Sequence, residues 1–242
     1  MNILQVVPEL NAGGVERTTI EVAQALNARG HTPHVVSAGG RLEDELRAAG
    51  GVLHRLRVGS KNPMSLRRNT KELIDIIKTN KIDIVHARSR APAWPARAAA
   101  QATNTPFVTT YHGIYNAKSG LKRRYNAIMA KADIVIANSE FTKKHIMAEH
   151  GTADENIVVI PRGVDMALFD PSKICATDIA QMRTKWGVVD GDKVVLLPGR
   201  LTRWKGLYSR RTHEPPWRLN SLYFAASPRF LSASQQTAWI FS

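Results

Sequence analysis

The feature that most constrains this chain is its opening, Asn2 to Ala28. The apolar run Ile3-Leu4-Gln5-Val6-Val7-Pro8 meets a turn at Asn11-Ala12-Gly13-Gly14, then a segment with Val15, Thr19, Val22 and Leu26 at helical spacing. The pattern is strand, glycine loop, helix. A strand apolar on both faces belongs in the middle of a parallel sheet, and paired glycines let a turn's backbone approach a ligand that a Cβ would keep away. The free N–H groups of the following helix then face a place where an anion, typically a phosphate, is held. The same spacing also describes an ordinary tight turn.

The alternation continues. A second strand is expected at His34-Val35-Val36-Ser37, a short helix with Leu42, Leu46 and Ala49, and a third strand from Val52 to Val58. A helix with Leu66, Leu73, Ile76 and Ile77 inward leads to a fourth strand, Ile82 to His86. Pro95 suits the first turn of an alanine-rich helix running to about Thr103, and a fifth strand, Pro106 to Thr110, delivers Tyr111-His112-Gly113 at its carboxyl end. Open α/β sheets place their ligand groups there. A helix from Leu121 to Lys131, a strand from Asp133 to Ala137, a helix N-capped by Ser139 and a strand from Ile157 to Ile160 complete the series. The expected architecture is a parallel Rossmann-like sheet with right-handed crossovers over residues 1–165.

Beyond the linker Asp170-Pro171-Ser172-Lys173, a helix with Ile179, Met182 and Trp186 precedes another doubly apolar strand, Lys193 to Pro198. The loop after it, Gly199 to Gly206, carries Arg200 and Lys205, two cations with a pyrophosphate's place between them. Residues 166–206 therefore read as linker and first unit of a second domain. From Leu207 to Ser242 glycine, valine, lysine and aspartate vanish, while seven of the chain's sixteen aromatic residues crowd in. No glycine-loop unit there covers the strand at Val194, so residues 207–242 read as an irregular tail read out of frame; a native aromatic tail that anchors at a membrane interface is the rival.

Composition bounds the chemistry. No apolar run approaches the roughly 20 residues needed to span a bilayer, and the N-terminus enters a strand without a signal-peptide flank, so a cytoplasmic location is expected, peripheral at the inner face of the plasma membrane. Cys175 is the single cysteine, and the histidine spacing does not suggest a structural zinc site. The formal charge of +14 is clustered at Arg55, Arg57, Lys61, Arg67, Arg68 and Lys71, and again at Lys118, Lys122, Arg123, Arg124 and Lys131. Two explanations fit: solvated helix faces, or docking on anionic lipid. No nucleic-acid-binding motif accompanies the charge, so specific nucleic-acid binding is not expected. The oligomeric state is left open.

The chain resembles the retaining glycosyltransferases of family 4, which have the GT-B fold. The likeness runs from Met1 to Gly206 and rests on Gly13-Gly14-Val15-Glu16, Tyr111-His112-Gly113, Asn138-Ser139, Pro161-Arg162-Gly163-Val164-Asp165, and Gly199-Arg200 with Lys205-Gly206. It implies two Rossmann-like domains, the first binding mainly a glycan or lipid-linked acceptor and the second a nucleotide-sugar donor. It further implies that Gly13 and Gly14 approach the donor phosphate, that His112 contacts the transferred sugar, and that Arg200 and Lys205 grip the pyrophosphate. Glu16, Ser139 and Asp165 take secondary, acceptor-side places. The nucleotide sugar is substrate, and neither metal nor cofactor is called for. The setting implied is synthesis of envelope polysaccharide or lipopolysaccharide.

Two features depart from the family. Asparagine is common where Arg162 stands, and the family's donor motif of two glutamates seven residues apart has no counterpart, Glu214 being the lone glutamate after Gly206. Donor recognition is thus expected to be incomplete and the isolated chain inactive. The non-catalytic alternative is an acceptor-binding or membrane-docking module that needs a separate donor-domain partner. A dinucleotide-dependent dehydrogenase is disfavoured, because Gly13-Gly14 lacks the fingerprint spacing and the second strand ends in Ser37-Ala38 without an acid for the ribose.

Overall fold

The computed structural model describes residues 1–115 and 119–192. The chain divides into two compact units, Met1–Gly163 and Val164–Ser242. In the first, β1 (Asn2–Val6), β2 (Thr32–Ser37), β3 (Val52–Arg55), β4 (Ile84–Ala87), β5 (Phe107–Tyr111), β6 (Ile134–Ala137) and β7 (Ile157–Val159) form a seven-stranded sheet in the order β3-β2-β1-β4-β5-β6-β7. Every pairing is parallel. The fold is α/β and Rossmann-like, as the alternation predicts.

Side-chain alternation explains why the central strands are apolar throughout. Leu4, Val6 and Val36 enter one buried cluster with Leu73, Ile77 and Ala96, whereas Val7 and Val35 enter another with Ile20, Ala23 and Leu46. Helices α1 (Gly14–Asn27) and α2 (Glu43–Ala48) supply the second cluster. On the opposite face, α3 (Pro63–Thr79), α4 (Arg90–Thr103) and α6 (Glu140–His150) supply the first. Each central strand thus buries one row of side chains per face, which is the physical demand of a doubly covered parallel sheet.

Local signals fix most element ends. Asn62 caps α3 by accepting from the Met64 N–H at 2.9 Å, with Pro63 at the first helical position. Ser139 accepts from the Thr142 N–H at 3.2 Å at the start of α6, and Gly151 closes that helix at φ 66°.

Three local readings need correction. Helix α4 begins at Arg90, so Pro95 lies inside it, beyond the first turn. Its ring costs a backbone hydrogen bond, but Pro92, Ala93, Pro95 and Ala96 are all buried against the sheet, and packing overrides local propensity. Strand β3 stops at Arg55, three residues short of Val58, because its one neighbour β2 ends at the partner position Ser37. The helix expected from Leu121 to Lys131 is α5 (Gly120–Asn126) followed by a tighter turn over Ala127–Ala130. Asn126 is buried there and accepts from Arg90 Nη1 at 2.7 Å.

In the second unit, Asp170 caps a short turn over Pro171–Lys173, and α7 (Ala176–Trp186) ends at Gly187 with φ 65°. The strand at Lys193, the Arg200 and Lys205 loop, and the tail from Leu207 lie outside the described residues.

Candidate functional site

All seven strands run the same way, so the segments leaving them gather along one edge of the sheet. The order reverses between β1 and β4, where the chain leaves in opposite directions to α1 and α4. That reversal opens a crevice at the strand ends, the usual ligand position in such sheets. Gly13-Gly14 stand on its β1 side and Arg88 on its β4 side, with His112 following β5 and Arg162 lying beyond β7.

The glycine turn is tightly built. Gly13 has φ 142° and ψ 172°, a conformation accessible to glycine and strained for any residue with a Cβ. A Cβ on Gly13 would lie 2.6 Å from Glu16 Oε2, and one on Gly14 would collide with Arg162 Nη1. Arg162 Nη2 donates to the Gly14 carbonyl at 3.0 Å and to Thr18 Oγ1 at 2.5 Å. The approach that Gly14 permits is therefore taken up by a guanidinium. Gly13 supplies no side-chain cap for α1, whose first turn carries Glu16.

Arg88 lies beneath the same edge, 3% exposed. Its Nε donates to Gln5 Oε1 at 2.7 Å, and Gln5 in turn donates to the Thr19 carbonyl at 3.1 Å, tying β4, β1 and α1 together. Its Nη1 is buried without a hydrogen-bond partner. Burial, and after it the nearby Arg162 guanidinium, pull Arg88 down to about 10. Burial likewise pushes His112 down to about 4, helped by Arg88 and Arg162, and its Nε2 is enclosed and unpartnered. His86, bonded to Thr110 Oγ1 at 2.7 Å, is held well below its usual range by burial first and then by Arg88 and His112. The edge thus carries two guanidiniums beside two neutral imidazoles.

This arrangement predicts a pH dependence. The folded chain holds His112 near 4, while an unfolded histidine binds its proton near 6.5. Between those values the unfolded state carries more protons, so stability is fully present above about pH 6.5 and declines as pH falls towards about 4. Urea denaturation at pH 7.5 and pH 5 checks this: the wild-type chain should lose stability at the lower pH, and His112→Gln should lose less.

The sequence-predicted residues fall into four groups. Gly13, Gly14, Glu16 and His112 belong to the carboxyl edge of the sheet. Ser139 does structural work, capping α6, and beside it Asn138 Nδ2 donates to the His112 carbonyl at 3.3 Å and so holds the histidine's backbone. Asp165 lies in the second unit and accepts from the Ala167 and Leu168 N–H groups at 2.9 and 3.1 Å. Arg200 and Lys205 lie outside the described residues. Arg88 and the loop-clasping part of Arg162 escape a reading of the sequence; the available signal was an arginine directly after the fourth strand.

Two further features emerge. A concavity of about 280 Å³ is lined by Ser60, Lys61, Leu66, Ala91, Trp94 and Tyr125. Its two aromatic rings lie 6.2 Å apart at 23°, and Lys61 Nζ sits 5.2 Å from the Tyr125 ring centre. Separately, the sheet brings His34 Nδ1 within 3.0 Å of His54 Nε2, a pairing that sequence spacing concealed. Among the described residues no three histidine, cysteine or acidic side chains gather as a metal set, and no helix is long and apolar enough to cross a membrane.

Comparison with known proteins agrees with this fold. The chain is 43% identical to a glycosyltransferase from Rickettsia africae of known structure, with a TM-score of 0.74 over 85% of this chain and 54% of that one. HepE from Anabaena, solved in complex with UDP and glucose, matches at 24% identity and a TM-score of 0.68 over 85% of this chain and 55% of its own, a likeness of fold. A D-inositol 3-phosphate glycosyltransferase of Catenulispora acidiphila is 26% identical over 51% of this chain, and an alpha-monoglucosyldiacylglycerol synthase of Streptococcus pneumoniae is 24% identical over 58%. The chain spans about a third of those two relatives, 31% and 34% of their lengths. The family model for Glycosyltransferase Family 4 covers residues 12–168. The chain belongs to that family.

Proposed function

We propose that this chain serves a nucleotide-sugar-dependent, retaining glycosyl transfer in the synthesis of envelope polysaccharide or lipopolysaccharide. The observation that carries the reading is the crevice edge, where an uncapped helix N-terminus, Arg162, Arg88 and a neutral His112 converge. A departing nucleoside diphosphate gains negative charge as the glycosidic bond to phosphate breaks. Guanidiniums and backbone N–H groups stabilise that charge without a metal. The leaving phosphate takes the acceptor hydroxyl's proton as the new bond forms on the same face, so the chain need supply no nucleophile. Neutral His112 presents a hydrogen-bonding ring to a sugar hydroxyl without adding a third positive charge. The pocket between Trp94 and Tyr125 suits the acceptor, because aromatic faces pack against the apolar face of a sugar ring.

The test is nucleotide-sugar binding and transfer by the 242-residue chain across a panel of UDP- and GDP-sugars. His112→Ala should weaken binding, or turnover where it occurs, by about tenfold or more, as expected on losing a hydrogen bond in a desolvated site. Equal binding by the variant would contradict the role of His112. The expected inactivity of the isolated chain turns on residues 193–242, and the same assay decides it.

A membrane-docking role is supported by exposed apolar groups interspersed with the basic clusters. Met64 and Leu121 are 80% and 84% exposed, beside Lys61, Arg67 and Arg68 in one case and Lys122 and Arg124 in the other. Arg123 is occupied by a two-bond pairing with Glu149, at 2.6 and 3.0 Å, so Lys122 and Arg124 are the informative pair. Reversing both to glutamate should cut sedimentation with anionic liposomes several-fold, at about 1 kcal/mol per basic residue lost, and the remaining binding should fall with salt. Unchanged, salt-insensitive sedimentation would count against docking.

A further inference from the structure

We propose that Lys61 makes the Trp94–Tyr125 pocket selective for a negatively charged sugar, one bearing a phosphate or a carboxylate. The inference rests on the acceptor reading above and adds to it the charge of the acceptor and the residue that reads it.

The pocket is assembled from the segments that follow three neighbouring parts of the sheet. Ser60 and Lys61 lie between β3 and α3, Leu66 is in the first turn of α3, Ala91 and Trp94 open α4 after β4, and Tyr125 is in α5 after β5. At about 280 Å³ the concavity falls just below the usual ligand pocket of about 300–1,000 Å³, which limits it to a small ring.

Its polar side chains are biased towards donating. Lysine carries three N–H donors and no acceptor, and an indole only donates. The Ser60 hydroxyl oxygen already accepts from the Asn62 N–H at 3.3 Å, which leaves its hydrogen to give. Tyr125 adds a hydroxyl that can do either. No carboxylate or amide side chain lines the concavity, and Leu66 and Ala91 supply its apolar remainder. A neutral sugar donates from every hydroxyl and needs acceptors for those hydrogens, whereas a phosphate or carboxylate group accepts at each oxygen. The lining therefore matches an anion better than ring hydroxyls alone. Trp94 points the same way, since its Nε1 is enclosed and has no hydrogen-bond partner.

Lys61 supplies the charge. Its Nζ is held 5.2 Å from the Tyr125 ring centre, within cation–π reach, and it forms no ion pair among the described residues. The aromatic face fixes the ammonium at the pocket wall without neutralising it. Arg90 approaches the same ring at 6.0 Å, but its Nη1 donates to Asn126 Oδ1, so of the two cations at Tyr125 only Lys61 lines the pocket. The rival account is that Lys61 serves lipid docking alone, as one more member of the basic cluster with Arg67 and Arg68.

The test is titration of the full chain with glucose-6-phosphate, glucuronate and glucose at fixed ionic strength, read at the ¹⁵N-labelled indole of Trp94 and assigned with Trp94→Phe. At least one acidic sugar should shift that indole saturably and bind about tenfold or more tightly than glucose, the scale of a charge-assisted hydrogen bond. The tighter of the two identifies the anion. Lys61→Met should abolish the preference while leaving glucose affinity in place, and Lys61→Arg should keep most of it; Lys61 is exposed, so both variants should stay folded. Glucose binding as tightly as both acidic sugars would overturn the proposal and leave the acceptor reading standing. A preference that survives Lys61→Met, with weaker sedimentation of that variant on anionic liposomes, would assign Lys61 to docking and overturn it too. If no sugar moved Trp94, the acceptor reading of the pocket would fall, and the inference with it.

Discussion

A Gly13→Val chain is expected to unfold at clearly lower urea, with about 1–3 kcal/mol lost, and to lose anion binding at the β1 turn. The cost follows from backbone geometry: φ 142° is a region in which a residue with a Cβ is strained by that order. The added Cβ would also meet the Glu16 carboxylate at 2.6 Å, pressing on the first turn of α1. Gly30→Val is the comparison, since that glycine also has positive φ, at 75°, but a Cβ there meets nothing within 4 Å. Both should lose stability through strain, and Gly13→Val alone should also lose pyrophosphate binding. Equal binding by wild type and Gly13→Val would mean that the turn is only a connector.

The second large effect is expected in the sheet. Leu4 is fully buried in β1, which lies between β2 and β4. Leu4→Ala should cost about 2–5 kcal/mol, as truncation of a well-packed core leucine does. Leu53, partly buried on the edge strand β3, should cost less when truncated. Equilibrium denaturation of the two variants gives the comparison. Equal losses would contradict the central placement of β1 that underlies the site.

That placement was legible in the residues, because a run such as Leu4 to Val7 can bury both of its faces only between two neighbours. The glycine turn, the strand-end histidine and the Ser139 cap were legible for similar reasons: each is a local demand met by a local residue type. Arg162 was not. Its contacts with Gly14 and Thr18 span 148 and 144 residues of sequence, and only the sheet order makes them neighbours. Arg88 looked like one more basic residue in a basic chain, since burial does not appear in a charge count. The His34 and His54 contact depends on the β2 and β3 register, with His34 opposite Val52 and Val36 opposite His54. Pro95 misled because proline marks a helix start by local rules, whereas here the buried face of α4 decides.

The family relationship fixes the fold, while the crevice edge gives this chain its particular features. Arg162 in place of the more usual asparagine brings a charge to the glycine turn, and Arg88 brings another from below. Burial first, and then these two guanidiniums, hold His112 neutral.

The most direct measurement is a titration of the ¹³C,¹⁵N-histidine-labelled full chain with a nucleotide sugar, read at the His112 ring and assigned with His112→Gln. The account predicts a saturable shift at His112 while His34 and His54, on β2 and β3, stay in place. A nucleotide sugar that binds without moving His112, or that moves only the His34 and His54 pair, would contradict it.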